Sequence, residues 1–282
     1  SPLPSLGEAL FGQNSTNSML SPYSICTSGH RVFVCDSNSQ LVHVFDLESR
    51  AYAQWKPSPD GKGQGFGQPV GIAADATGRI FVSDSVAAVI FLFDKTGHCL
   101  GEIGHGSLKR PCGIAYDSAH DRLFVADSGL HQVIVLSLDG TLIAAIGQRG
   151  SALGEFNYPT NVALDRTGRL FVSDTLNFRV QVFDPELKPL RQIGRLGDMP
   201  GYFSQPKGIA VDSENHVYVV DSHFEAVQLF DGPALVATLT APPFTFAWDT
   251  ASTADGPHAL RVTAVDGVGN AAEVSVPVTV DN

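Results

Sequence analysis

One short pattern recurs five times in phase and constrains the chain more than its composition does. It reads aromatic, valine, any residue, aspartate, serine or threonine: FVCDS (33–37), FVSDS (81–85), FVADS (124–128), FVSDT (171–175) and YVVDS (218–222). The aspartates Asp36, Asp84, Asp127, Asp174 and Asp221 stand 48, 43, 47 and 47 residues apart. A proline precedes each: Pro22, Pro69, Pro111, Pro159 and Pro206, at distances of 14, 15, 16, 15 and 15 residues. A fixed period of this length marks a supersecondary unit that cannot bury its apolar faces alone and must stack on its neighbours.

Each copy reads as four strands. A short run follows the proline, as in GIAAD (71–75). A turn such as AspAlaThrGly (75–78) or AspArgThrGly (165–168) comes next. There the aspartate bonds turn amides and the glycine takes positive φ. The second and third strands, RLFVSD and VQVFD in the copy at 159–184, are apolar on both faces rather than alternating. A sheet covered on both sides requires this. The fourth strand ends in glycine, as in LIAAIG (142–147), and a long Gly-rich loop leads to the next proline. Four-stranded sheets stacked face to face around an axis meet these demands, so the expected fold is an all-β propeller.

The copy at 159–184 resembles the NHL repeat through Pro159, Asp165, Gly168, Asp174, Asn177, Arg179, Gln181 and Phe183. The likeness covers residues 1–231. Two copies depart from it: ValAlaAlaVal (86–89) stands where Asn and Arg are expected, and Ser28 replaces the first-turn aspartate. The resemblance implies six blades, of which five are explicit. Residues 5–12 look like a fourth strand, so the C-terminus is expected to supply the other three strands of a sixth blade. The domain reading is thus 1–240 for blades one to five plus the closing strand, and 241–282 for a three-strand segment completing blade six. That tail also resembles half of the immunoglobulin-like modules of bacterial surface proteins, through PheThrPheAlaTrpAsp (244–249) and AlaValAspGlyValGlyAsnAla (264–271). A whole sandwich needs about 100 residues. The rival reading has the tail pairing with another chain.

Composition limits function. With 43% hydrophobic residues the chain buries a real core, and its net charge of −11 offers no cationic track for nucleic acid. No apolar run reaches the roughly 18 residues of a membrane helix. The start at Ser1, with no leader pattern, reads as a trimmed product. Four cysteines carry no CxxC. Cys26 and Cys35 are expected to face each other across a hairpin and are the candidate disulfide of an oxidising compartment, the alternative being two free thiols. Cys99 and Cys112 are expected to be free.

The loops between blades share one face with the turns after second strands, and this is the expected functional face. The five aspartates read as turn caps rather than a calcium ring, which would need six to eight converging oxygens. Residues following the prolines are expected on the axis: Tyr23, Val70, Cys112, Thr160, Lys207 and, in a sixth blade, Phe244. Tyr23, Thr160, Asn161 and Lys207, with Asn177 and Arg179, are the candidate ligand- or partner-binding residues. The competing reading pairs Arg179 with a neighbouring blade's carboxylate. Trp55, Phe66, Phe156, Tyr158, Tyr202 and Phe203 read mostly as plugs between blades.

A lyase branch of the resembled family holds zinc with histidines. Here His131 and His223 are the weak metal candidates, short of the three that catalytic zinc wants. No hydrolase, P-loop or dinucleotide signature occurs. The expected function is a non-enzymatic, cofactor-free interaction scaffold in an extracellular, cell-surface or periplasmic assembly, with a protein partner. The resemblance adds a multihaem cytochrome as one such partner. The alternatives are a metal-dependent lyase or lactone hydrolase, and the ligand-sensing domain of a larger receptor.

Overall fold

Each proline-to-aspartate repeat folds as one antiparallel four-stranded sheet, and the five sheets stack as the blades of a propeller. The computed structural model describes residues 19–58, 65–232 and 234–240, with the backbone of 256–265 and 271–280. Blade one contains β1 (Pro22–Ser28), β2 (Arg31–Asp36), β3 (Leu41–Asp46) and β4 (Tyr52–Trp55). Blade two contains β5 (Pro69–Ala74), β6 (Ile80–Asp84), β7 (Val89–Phe93) and β8 (Cys99–Ile103). Blade three contains β9 (Pro111–Asp117), β10 (Arg122–Asp127), β11 (Gln132–Ser137) and β12 (Leu142–Ile146). Blade four contains β13 (Pro159–Leu164), β14 (Leu170–Asp174), β15 (Arg179–Phe183) and β16 (Pro189–Ile193). Blade five contains β17 (Pro206–Val211), β18 (His216–Asp221), β19 (Ala226–Asp231) and β20 (Ala234–Leu239).

The cores lie between blades, not within them. Phe33, Val42 and Trp55 of blade one pack with Ile72, Val82 and Phe91 of blade two. Corresponding clusters join blades two and three, three and four, and four and five. Every residue of β6 and β14 is buried, as a sheet covered on both sides demands. The outer strands face water on one side, and β12 and β16 are mostly exposed.

The innermost strands approach closely: β1 meets β5, β5 meets β9, β9 meets β13, and β13 meets β17. Glycine permits this. A Cβ on Gly71 would overlap the Cys112 carbonyl oxygen and the Ser83 hydroxyl, and one on Gly113 would overlap the Asn161 side chain. Each inner strand also breaks register just after its proline, at Pro22/Ser24, Pro69/Gly71, Pro159/Asn161 and Pro206/Ile209, and opposite Val125/Asp127 in blade three. Such bulges re-aim the side chains around them.

The expected sixth four-stranded blade is corrected to a two-stranded sheet, β21 (Gly256–Val265) with β22 (Ala271–Val280). Its strands are ten residues long, against four to seven in the blades, and pair without the bulge found in all five inner strands. β22 lies against β1 and β21 against β19. The proposed closing strand 5–12, Phe244 and the motif 244–249 fall outside the described residues, and the immunoglobulin-like likeness of the tail is not shown. Among the described residues, no helix is long and apolar enough to cross a membrane.

In β18, Val217, Val219 and Asp221 are buried towards blade four, while His216, Tyr218 and Val220 alternate with them and are only half-buried. An axial cavity of about 160 Å³ opens there, lined by Tyr23, Ile25, Ile72, Ile114, Asn161 and Ile209 among others.

Candidate interaction face

The inter-blade loops and the turns after second strands form the upper face, and the five repeat aspartates hold the two together. Each is fully buried. Asp84 accepts from the loop amides of Gly67 (2.7 Å) and Gln68 (2.9 Å) and from the turn amides of Val86 (3.0 Å) and Ala87 (2.9 Å). Asp127 does the same with Lys109 and Arg110, then Gly129 and Leu130. Asp221 takes Ser204 and Gln205, then His223 and Phe224. Asp36 takes Leu20 and Ser21, then Asn38 and Ser39. Burial alone would raise the Asp36 carboxyl, but the donors around it outweigh that and hold it below the usual carboxylate range. Four backbone amides thus fill most of the acceptor sites of each of these four carboxylates.

The hydroxyl after each aspartate extends the staple. Ser37 donates to the Pro69 carbonyl (2.8 Å) and Thr175 to the Pro206 carbonyl (2.7 Å), each in the next blade. Ser85, Ser128 and Ser222 bond to the loop before their own blade.

Blade four uses side chains where the others use amides. Asp174 accepts from the Asn157 amide (2.7 Å), Asn177 Nδ2 (2.8 Å), Arg179 Nε (2.9 Å) and Gln181 Nε2 (2.9 Å). Arg179 is buried and spends its other donors on Gln192, Ala152 and Glu155. Asn177 also donates to the Gly150 carbonyl. The partner of Arg179 is therefore its own blade's aspartate, not a neighbour's, and both candidate ligand residues are turned inward to hold a loop.

The remaining candidates separate. Thr160 bonds Thr175 through their hydroxyls (2.6 Å). Asn161 lines the axial cavity and accepts from the Val162 amide. Of the described residues that follow the prolines, Tyr23 lines that cavity and Val70, Cys112, Thr160 and Lys207 do not. Lys207 is half-buried. His131 Nδ1 accepts from the Tyr158 amide (3.2 Å), with the two rings edge to face at 5.0 Å. His223 sits two blades away, edge-on to Phe224. Among the described residues no three His, Cys, Asp or Glu side chains gather as a metal site.

All four cysteines are free thiols, which corrects the disulfide. The β1–β2 register sets Cys26 opposite Phe33 and Cys35 opposite Ser24, so the two are never cross-strand partners. Burial pushes both thiols well above their ordinary value.

The loop rings divide as their positions dictate. Trp55, Phe66, Phe156 and Phe203 are buried between blades, whereas Tyr158 is exposed and Tyr202 half-buried. Two loop anchors carry no obvious motif. Gln181 accepts from the Gly154 amide and donates to the Glu155 carbonyl, and Gln228 treats Gly201 and Tyr202 alike. Their shared third-strand position was the available signal. Blade one has His43 there, bonded to Tyr52 (2.7 Å) and Asp36 (3.3 Å).

Large exposed apolar side chains lie on the outer strands and on the loops and turns of the upper face. The outer strands carry Leu100, Leu142, Ile143, Leu190 and Val236. The upper face carries Leu20, Val86, Tyr158, Leu176, Leu196 and Met199, of which Val86 is 69% and Met199 62% exposed. The lower face is built from acidic turns instead, with Asp75, Asp117 and Asp165 paired to Arg79, Arg122 and Arg169.

The NHL repeat model matches residues 156–183 and 203–225. The chain carries NHL repeats on a β-propeller. Among proteins with curated descriptions, none matches this sequence. Solved structures share the fold at low identity. Virginiamycin B lyase from Staphylococcus aureus is 16% identical, with a TM-score of 0.61 over 80% of this chain and 72% of that one. The structure of a nidogen/laminin complex is similar at 19% identity and TM-score 0.60, over 79% and 81% of the two chains. Hydrazine synthase from Kuenenia stuttgartiensis is similar at 14% identity and TM-score 0.53, over 78% and 79%. At these identities the likeness is one of fold, shared alike by a lyase and by a protein solved with a partner.

Proposed function

We propose that the chain is a non-enzymatic interaction module whose upper face receives a protein partner. The observation that carries this is the presence of exposed apolar side chains on loops that are themselves rigidly stapled. Contiguous exposed apolar surface marks interaction sites on soluble proteins, and binding residues sit characteristically on loops held by a scaffold. A chain in the structure of a nidogen/laminin complex shares the fold. The extracellular or periplasmic setting rests on the sequence likeness of 241–282 to surface-protein modules. A multihaem cytochrome is one partner class that the repeat resemblance adds.

The test is partner capture from the exported fraction of the source organism, with three baits. Wild type and an outer-strand variant, Leu142→Asp with Leu190→Asp, are expected to retain the same protein. Leu176→Asp with Met199→Asp is expected to lose it while keeping its far-ultraviolet spectrum. Retention by all three baits places the interface elsewhere. Stoichiometric zinc or calcium in the purified chain would overturn the non-enzymatic reading in favour of a metal-dependent lyase.

A further inference from the structure

We propose that the blade-three corner of the upper face is a carboxylate-recognition site that seats an acidic segment of a protein partner, a proposal that rests on the interaction reading above. Lys109 and Arg110 stand exposed in the loop before blade three, and Arg149 stands exposed in the loop after it. Their backbones are fixed. The Lys109 and Arg110 amides donate to buried Asp127, and their side-chain stems pack over Gly129. Arg149 is held by its bridge to Phe156, and the Gly150 amide donates to the Phe156 carbonyl.

His131, in the turn after the second strand of blade three, lies near enough to Arg149 and Lys109 to feel both charges. Its Nδ1 accepts the Tyr158 amide proton, so the neutral ring carries its own proton on Nε2 as a donor. Burial, then Arg149 and Lys109, lower its pKa and keep it in that neutral form. The exposed Tyr158 ring abuts it. The corner is thus a set of donors: the Lys109 ammonium, the Arg149 guanidinium and an imidazole N–H.

Among the described residues none of Lys109, Arg110 or Arg149 has a carboxylate partner, whereas Arg79, Arg122, Arg169 and Arg179 are each paired with an aspartate. In a chain of net charge −11 such a corner attracts anions selectively to one spot. Carboxylates fit it better than a phosphate chain. A nucleic-acid footprint needs a continuous basic stripe, whereas on this face Glu155, Asp198 and Glu225 are interspersed among Arg149, Arg195 and the other cations. Exposed Leu153 and Leu176 flank the corner and suit apolar neighbours in a peptide.

The test is fluorescence anisotropy with fluorescein-labelled hexaglutamate at low salt. Wild type is expected to bind, and Lys109→Ala with Arg149→Ala to bind at least tenfold more weakly. Lys188→Ala on the lower face is expected to match wild type. Unchanged affinity in the double variant, or no binding by wild type, overturns the site. Tighter binding of hexathymidylate than of hexaglutamate overturns its assignment to a protein partner. Either failure leaves the capture experiment with Leu176 and Met199 untouched, so the two readings fall separately.

Discussion

Asp174 and Arg179 show how much of the upper face is held by single residues. Arg179 is buried with a carboxylate, a glutamine and two carbonyls as acceptors, and removing the carboxylate strands its charge. Breaking a buried pair from one side costs about 3–5 kcal/mol. Asp174→Ala is expected to lose stability on that scale in chemical denaturation, and a loss below about 1 kcal/mol would show the pair to be dispensable. A second residue-scale feature is repeated strain. Gln40, Ala88, His131, Phe178 and Glu225 occupy one turn position, and all have φ between 51° and 58°. A Cβ in this region costs about 1–2 kcal/mol, while glycine adds about 0.5–1 kcal/mol of unfolded-state entropy. Ala88→Gly should therefore raise the melting temperature slightly, by the equivalent of about 0.5 kcal/mol. A lowered melting temperature would contradict the strain argument. The repeat aspartates were legible in the sequence, because only a short acceptor fits between two sets of amides at fixed spacing. Gln181 and Gln228 were not, since their role depends on a loop folding back from about 27 residues away.

At the scale of elements, strand number and order were legible because apolar runs and turn signals recur in phase. The bulge after each proline was not, because register inside a paired strand leaves no mark on composition. Val70, Thr160 and Lys207, read as axial, do not line the cavity. The tail misled for a related reason. Its apolar alternation fits a blade strand or any other two-stranded pairing, and the structure pairs β21 with β22 over ten residues as a hairpin of its own. The close approach of inner strands makes the sharpest prediction here. Gly71→Ala places a methyl against the Cys112 carbonyl and the Ser83 hydroxyl. It is expected to destabilise by about 1–3 kcal/mol, the range for overpacking. Gly29, with open space around it, is a poor control because of its positive φ, and Gly65, with open space and no such φ, is the better one. Gly65→Ala is expected to leave the denaturation midpoint unchanged.

At the scale of the molecule, charge and stability run together. Asp36, Asp75, Asp117, Asp165 and Asp212 are all held below their ordinary pKa. Burial alone would raise each, and the amides, hydroxyls and cations around them outweigh it. A lowered folded-state value contributes stability above the unfolded pKa and loses it as pH falls through the folded one. The melting temperature should therefore decline as pH drops below about 4. His216 works in the opposite sense. Asp212 raises it, so its contribution is present below about pH 6.5 and fades as pH climbs through the raised value. A melting temperature flat from neutral pH down to pH 3 would contradict the carboxylate account. The central claim is that a rigid propeller presents its upper loops and turns to a protein. Hydrogen exchange of the chain with and without its captured partner tests it most directly. The account predicts new protection confined to the loops and turns around residues 85–88, 104–110, 147–158, 175–178 and 194–205. Protection confined instead to the outer strands β8, β12 and β16, or to the β21–β22 hairpin, would contradict it.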